Sequence, residues 1–372
     1  MGDRAKYLGL VFGIAFSSLL IAQQASIFVS IMSRTASFPQ VMQDADIWVM
    51  DGQVDNLDII HPLPDTAPNI VRSVPSIKWA VPLIKKMGVI KPIDGQLNQA
   101  VIVGIDDASL VGVPRDLSAG HWEDLRRPEA ILIDSVGYNL LWPQDGGKYQ
   151  LGRVVELNDH RAVVVAVANT MPNFMFAPII YTQYKNALEY THGGRKRISF
   201  VLAKAKENIE ARRAAREIEE LTPFRAKSRS DFIFSTILFY IENTGIPINF
   251  GLTVMLGLLV AAVIVGLLLN MFISDNIKQF GTLKAMGMDN VDLIKIVMVQ
   301  AVVVLAIGFS LGGGMAMGFF YFARQIPAMK GFYMPWYVWL IDGLLISTVT
   351  SLATLFSLRR VMQVDPAIVF KG

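Results

Sequence analysis

The chain has no cysteine among its 372 residues. That excludes a disulfide scaffold, thiol catalysis and cysteine-ligated zinc, and leaves the compartment open. Charge is scarce too. Asp, Glu, Lys and Arg make up 17% of the residues, against roughly a quarter in ordinary soluble domains. A net charge of +3 gives no case for a nucleic-acid partner. No Asn-x-Ser/Thr sequon occurs, which weighs mildly against a eukaryotic secretory protein. Catalytic motifs are missing as well. There is no G-x-x-x-x-G-K-[ST], so the chain brings no nucleotide-binding loop of its own. There is no H-E-x-x-H, and His61, His121, His160 and His192 are scattered as solvated surface residues would be. No G-x-S-x-G elbow occurs, and Asp134-Ser135 is a lone adjacent pair. No catalytic, metal-binding or cofactor-binding residue is expected.

Hydrophobic residues are abundant instead, at 53%, with a mean hydropathy of +0.43. The composition is that of a membrane protein with a polar domain attached. Residues 7–31 run without a charge, long enough to cross a bilayer core at about 1.5 Å per residue. A cleaved signal peptide ending near Ala22 to Ala25 is the competing reading, but the apolar run continues through Ile27, Phe28, Val29 and Ile31. Three further apolar stretches follow, at 246–273, 296–323 and 336–358. The third span contains Gly308-x-x-x-Gly312 and Gly314-x-x-x-Gly318, small-residue pairs that let helices approach closely. At 100° per residue the two pairs face different sides, and packing within the protomer is favoured over a dimer seam. Tyr333, Trp336, Tyr337 and Trp339 mark one membrane interface of the last span, and Arg359-Arg360 the other. Asp342, near the aromatic end, reads as an interfacial or helix-paired carboxylate, with a proton relay as the alternative.

Between the first and second spans the chain changes character. Residues 46–50, 100–105, 130–134, 153–157, 162–168 and 198–203 read as strands separated by turn-type residues. Residues 204–221 read as a helix, with Ile209, Ile218 and Leu221 on or near its apolar face, and 224–227 as a returning strand. Arg212-Arg213 and Glu219-Glu220 read as its wet face, and 193–197 as a solvated basic turn. The expected fold is therefore an α-helical membrane protein with four transmembrane helices and an α+β extracytoplasmic domain. The domain occupies 34–245, in one lobe or two. A segment at 231–245 extends the second span as a stalk if Pro247 allows it.

Orientation follows from the short loops. Arg4, Lys6, Lys278, Lys284, Lys295, Arg359, Arg360 and Lys371 fall on one side, whereas the opposite short loop, 324–335, has Arg324 and Lys330. Both termini (1–33 includes the first; the tail is 359–372) and the 274–295 loop are then cytoplasmic, and the large domain lies outside. That loop is short, charged and fixed at both ends by spans. Ile277, Phe280 and Leu283/Lys284 recur at helical spacing, and Met288-Asp289-Asn290 reads as a helix stop followed by a new N-cap. Two readings suit it: a handle that a partner grips, or a polar connection whose apolar residues dip into the membrane surface.

The layout of one span, a large outer domain and three more spans, together with the loop FGTLKAMGM (280–288), resembles the FtsX/MacB-like permeases of ABC transporters. In that family the loop commonly reads as an acidic residue, Ile, Gly, a variable pair and Arg-Ala-Leu-Gly-Ala. Gly281, Leu283, Lys284, Ala285, Met286 and Gly287 match here, and Gln279-Phe280 stands in place of Glu-Ile. The tail from Leu358 to Gly372 is similar to the family's ending, a basic pair and a short helix opened by Asp365, Pro366 and Ala367. The opening segment and the short outer domain look most like the DevC-like exporter branch. The resemblance implies a MacB-like periplasmic core and a permease homodimer in the bacterial inner membrane. It also implies separate ATPase subunits that bind the ATP, and transmission of their motion to the outer domain for export. DevC-like members further imply a membrane-fusion adaptor and a TolC-like outer-membrane duct. Lys278, Gln279, Phe280, Gly281, Leu283, Lys284, Ala285, Met286 and Gly287 would form the coupling interface, with Phe280, Leu283 and Met286 as apolar anchors. The rival readings are an FtsX-like regulator of a cell-wall hydrolase, a lipoprotein-extraction permease, and a membrane-anchored receptor or enzyme.

Overall fold

The computed structural model describes residues 4–93, 95–191, 197–326 and 329–362. The basic turn at 193–197, apart from the backbone of Arg197, and the tail from 363 onward lie outside the described residues. The chain forms two compact units: the outer domain, comprising Ile31–Thr244 with Ile326–Gly331, and a helical bundle made of the rest.

In chain order the outer domain begins with the end of α1 (Arg4–Thr35), then α2 (Ser37–Val41), β1 (Ile47–Met50), β2 (Leu63–Pro64) and α3 (Ala67–Arg72). Next come β3 (Ile77–Pro92), β4 (Asn98–Ile105), β5 (Leu117–Gly120), β6 (Ala130–Asp134) and α4 (Ser135–Leu141). The sequence continues through β7 (Val154–Leu157), β8 (His160–Ala168), β9 (Ile179–Gln183), α5 (Tyr184–Tyr190) and β10 (Arg197–Ile198). It closes with β11 (Phe200–Ala205), α6 (Ala211–Leu221), β12 (Arg225–Ser228) and α7 (Arg229–Asn243).

One ten-stranded mixed sheet holds the domain together, in the order β12-β1-β11-β3-β4-β9-β6-β8-β5, with β7 bridging β3 and β8. The pairs β4/β9 and β6/β8 are parallel and the others antiparallel. Both faces are covered, so the strands read as nearly continuous apolar runs. The period of two remains visible inside them: Trp48 and Met50 enter the core on one face, and Ile47 and Val49 enter the core beneath α3 and α6 on the other. The first face is centred on Trp48, Phe200 and Phe232, whose ring centroids lie 5.3–5.8 Å apart. Phe232 comes from α7, so the stalk segment is rooted in the core of the domain.

β3, 16 residues long, makes the ten-stranded sheet continuous across the domain, and β10 and β2 form a separate two-stranded sheet. The first half of β3 pairs with β11 and its second with β4. Lys85, at the junction, is buried; its Nζ donates to the Leu57 carbonyl at 3.1 Å and to Asp58 Oδ1 at 2.5 Å. Tyr240 of α7 donates to the other Asp58 oxygen at 2.5 Å. Burial holds the Lys85 ammonium below its usual range, and Asp58 opposes that shift.

Two expectations need correction. Residues 204–221 are not one helix: Lys204 and Ala205 complete β11, paired with Trp79 and Ile77, Asn208 turns at φ 72°, and α6 starts only at Ala211. Ile218 is buried as expected, whereas Leu221 is 61% exposed. The strand expected at 198–203 is also interrupted, by Ser199, whose hydroxyl accepts from the Lys85 amide and donates to the Lys85 carbonyl.

Among the described residues, four helices are long and apolar enough to cross a membrane: α1, α8 (Ile246–Asp275), α10 (Asn290–Ala323) and α11 (Trp336–Met362, apolar to Ser357). The short α9 (Ile277–Ala285) joins α8 to α10. α7 does not run on into α8: Thr244 is extended (φ −126°, ψ 156°), and Pro247 lies in the first turn of α8, where its missing N–H costs nothing. Leu252, Leu256, Leu259, Val263 and Leu267 remain exposed along α8, the surface a lipid-facing helix presents.

Phe232→Ala should remove the ring that joins α7 to the sheet. Loss of a buried Phe costs about 3–5 kcal/mol, so the denaturation midpoint of the outer domain, followed in the full-length protein by circular dichroism at the β-sheet band, should fall sharply. An unchanged midpoint would mean that α7 is not part of this core.

Candidate functional site

The sequence-predicted handle is the α8–α9–α10 corner. α9 ends in a Schellman motif: Gly287 N–H donates to the Lys284 carbonyl at 2.9 Å and Met288 N–H to the Leu283 carbonyl at 3.1 Å. Gly287 adopts φ +95°, which a residue with a Cβ takes only under strain. Asp289, extended at φ −74° and ψ 156°, is the N-cap position of α10, and Asp292 in the first turn suits the helix dipole.

Phe280 and Gly281 are buried. Phe280 packs into a small core with Ile273 of α8 and Leu293 and Val297 of α10, and Leu283 and Met288 are partly buried against it. The Phe280 ring is therefore already used within the protomer and is not available as an anchor in a partner's pocket. The residues that α9 and its C-terminal turn leave exposed are Lys278, Gln279, Thr282, Ala285, Met286 and Gly287; Met286 is 72% exposed. Lys284 is half-buried. Beside this corner, Lys6 of α1 forms an ion pair with Asp275 at the end of α8.

The bundle is organised around α1. Of the four glycines singled out in α10, Gly308 and Gly312 face α1. A Cβ on Gly308 would lie 2.8 Å from Ile14, and one on Gly312 would lie 2.4 Å from the Ala15 carbonyl oxygen and 2.8 Å from Ser18. Gly314 and Gly318 meet nothing within 4 Å. Sequence reading missed the matching contact on the other side of α1. Gly13 lies against Ile264 of α8, where a Cβ would come within 2.4 Å, and Gly257 of α8 lies against Ile21. Gly9-x-x-x-Gly13 was the available signal. Asp342 of α11 is buried, and Ser18 donates to its Oδ2 at 2.7 Å.

In the outer domain a polar cluster surrounds Lys330, from the loop between α10 and α11. Its Nζ donates to Ser135 Oγ at 2.5 Å and Asn169 Oδ1 at 2.8 Å, and its carbonyl accepts from Arg34 Nη2 at 2.6 Å. The neighbouring Asp134 caps α4 through Gly137 N–H at 3.0 Å and accepts from Ile179 N–H at 2.7 Å. Burial pushes its carboxyl up to about 6, against the pull of those amides and of Lys330. The Asp134-Ser135 pair thus has a structural role that adjacency alone did not disclose.

Residues 7–221 match the family model of the MacB-like periplasmic core domain, and residues 251–366 match that of the FtsX-like permease C-terminal region. The chain belongs to the FtsX/MacB-like permease family of ABC transporters. Among solved structures it is similar to the periplasmic region of MacB from Actinobacillus actinomycetemcomitans, with 17% identity over 54% of this chain and 94% of that one and a TM-score of 0.39. It is also similar to the extracellular domain of the noncanonic ABC-type transporter YknZ from Gram-positive bacteria, with 16% identity over 49% of this chain and 98% of that one and a TM-score of 0.35. No curated protein sequence matches the chain.

Gly312→Leu should cost about 1–3 kcal/mol through overpacking against Ala15 and Ser18. Gly314→Leu, facing open space, should cost little. The thermal stability of the two purified variants in mild detergent checks this, and equal losses would contradict the α1–α10 contact.

Proposed function

We propose that this permease couples ATP hydrolysis by a separate ATPase subunit to motion of its outer domain, and that the motion drives export. The observation that carries the reading is the α9 handle. It presents exposed side chains on one face and is fastened by Phe280 to the two spans that flank it. The sequence supplies no nucleotide-binding loop, so ATP and its chemistry belong to the partner, and the permease needs no cofactor of its own.

Met286 is the apolar anchor in this proposal, since a buried anchor carries much of such an interface's energy. Lys278, Gln279 and Thr282 lie around it, and the lysine contributes steering more than affinity. Gly281, Leu283, Lys284, Ala285 and Gly287 shape the handle, and Phe280 makes it rigid. The permease works as a homodimer in the bacterial inner membrane with its large domain in the periplasm. A membrane-fusion adaptor and a TolC-like duct complete the export route. The ten-stranded outer domain supports export over the hydrolase-regulator reading, for which a small domain would suffice.

Met286→Asp should leave membrane insertion and bundle stability unchanged, because the side chain is 72% exposed. Loss of an anchor of about 2 kcal/mol would weaken ATPase co-purification roughly 30-fold. Phe280→Ala should instead destabilise the handle itself. Wild-type co-purification and full export by Met286→Asp would refute the assignment.

A further inference from the structure

Residues 7–33, 246–274, 296–323 and 336–358 together contain one Asp, Glu, Lys, Arg or His, namely Asp342. It lies six residues into α11, about 9 Å along the helix, and has no exposed surface. Ser18, its hydroxyl donor, sits near the middle of α1, where Gly312 of α10 makes its closest approach. The acid therefore occupies the node at which α1, α10 and α11 meet.

Oδ2 has the Ser18 hydroxyl, whereas Oδ1 is buried without a hydrogen-bond partner. The charged groups of the packed helices are all near their ends: Arg4, Lys6 and Arg34 on α1, Asp275 on α8, Asp292 and Lys295 on α10, and Arg359 and Arg360 on α11. The tyrosines of these helices, Tyr7, Tyr321 and Tyr337, also lie in terminal turns. No cation is paired with Asp342 among the described ion pairs, and no group of three or more metal-ligating side chains occurs among the described residues. A carboxylate with one hydroxyl donor and no counter-ion is far more costly in such a site than the neutral acid.

We propose that Asp342 is a proton-binding site. In the packed bundle the proton sits on Oδ1 and Oδ2 accepts from Ser18. When α1 and α11 part, water reaches the acid, the Oδ1–H bond breaks heterolytically, and the proton passes to water, leaving the carboxylate. Binding the proton thus favours the closed arrangement and releasing it favours the open one. This linkage is independent of how α9 meets its partner.

Infrared spectroscopy of the full-length protein in lipid nanodiscs at neutral pH reads the site directly. The wild-type minus Asp342→Asn difference should show the carbonyl stretch of a protonated carboxyl, lost in the variant. Asp342→Asn, a neutral isostere, should also keep the bundle folded. Ser18→Ala leaves the acid in place and should move the same band to higher frequency by removing its donor. A difference spectrum containing carboxylate stretches alone, or an acid band that Ser18→Ala does not move, would overturn the proposal.

Discussion

The burial of Phe280 between α8 and α10 determines what a force applied to α9 can do. A helix held only by its ends would yield and absorb the displacement. The ring fills a close-packed pocket of Ile273, Leu293 and Val297, and such interiors resist compression and transmit strain. A push on the exposed face of α9 therefore becomes a push on the ends of the two apolar helices that flank it. The Schellman turn at Gly287 adds to this by fixing where α9 stops and α10 begins.

Farther along the spans, the same logic depends on small residues. α1 lies against α8 through Gly9, Gly13 and Gly257 and against α10 through Gly308 and Gly312. Backbones that approach this closely gain packing that lipid cannot replace. The chain passes between the bundle and the outer domain at four points, 30/31, 244/245, 325/326 and 331/332. The short segment between the last two is held by the ammonium of Lys330, and the end of α1 by Arg34. Within the domain, Arg34 donates to the Lys330 carbonyl, which ties the end of α1 to that short segment.

Much of this was legible in the sequence. Long charge-free runs gave the four apolar helices, since length and composition suffice to define them. The β-rich domain was visible through short apolar runs bounded by turn residues, although β3 was hidden by Pro82, Lys85 and Lys86, which break the apolar pattern of a strand. Lys85 is satisfied by Leu57 and Asp58, partners far away in sequence, and no local rule anticipates them. The extent of α6 was misjudged for a related reason: Lys204 and Ala205 have acceptable helix propensity, but pairing with β3 overrides it. In the handle, helical spacing placed Phe280 and Leu283 on one face correctly. Periodicity does not say whether that face meets the protein's own helices or a partner, and burial decides it for Phe280.

The most direct test of the handle uses the absence of native cysteine. Thr282→Cys and, separately, Gln279→Cys would be labelled with a photoactivatable thiol reagent in lipid-embedded complexes that hydrolyse ATP. Both positions are exposed on α9, so both should form covalent adducts with the nucleotide-binding subunit on illumination. Adduct formation with lipid alone, in complexes shown to contain the ATPase, would contradict the account, because α9 would then lie on the membrane surface and not in the partner's grip.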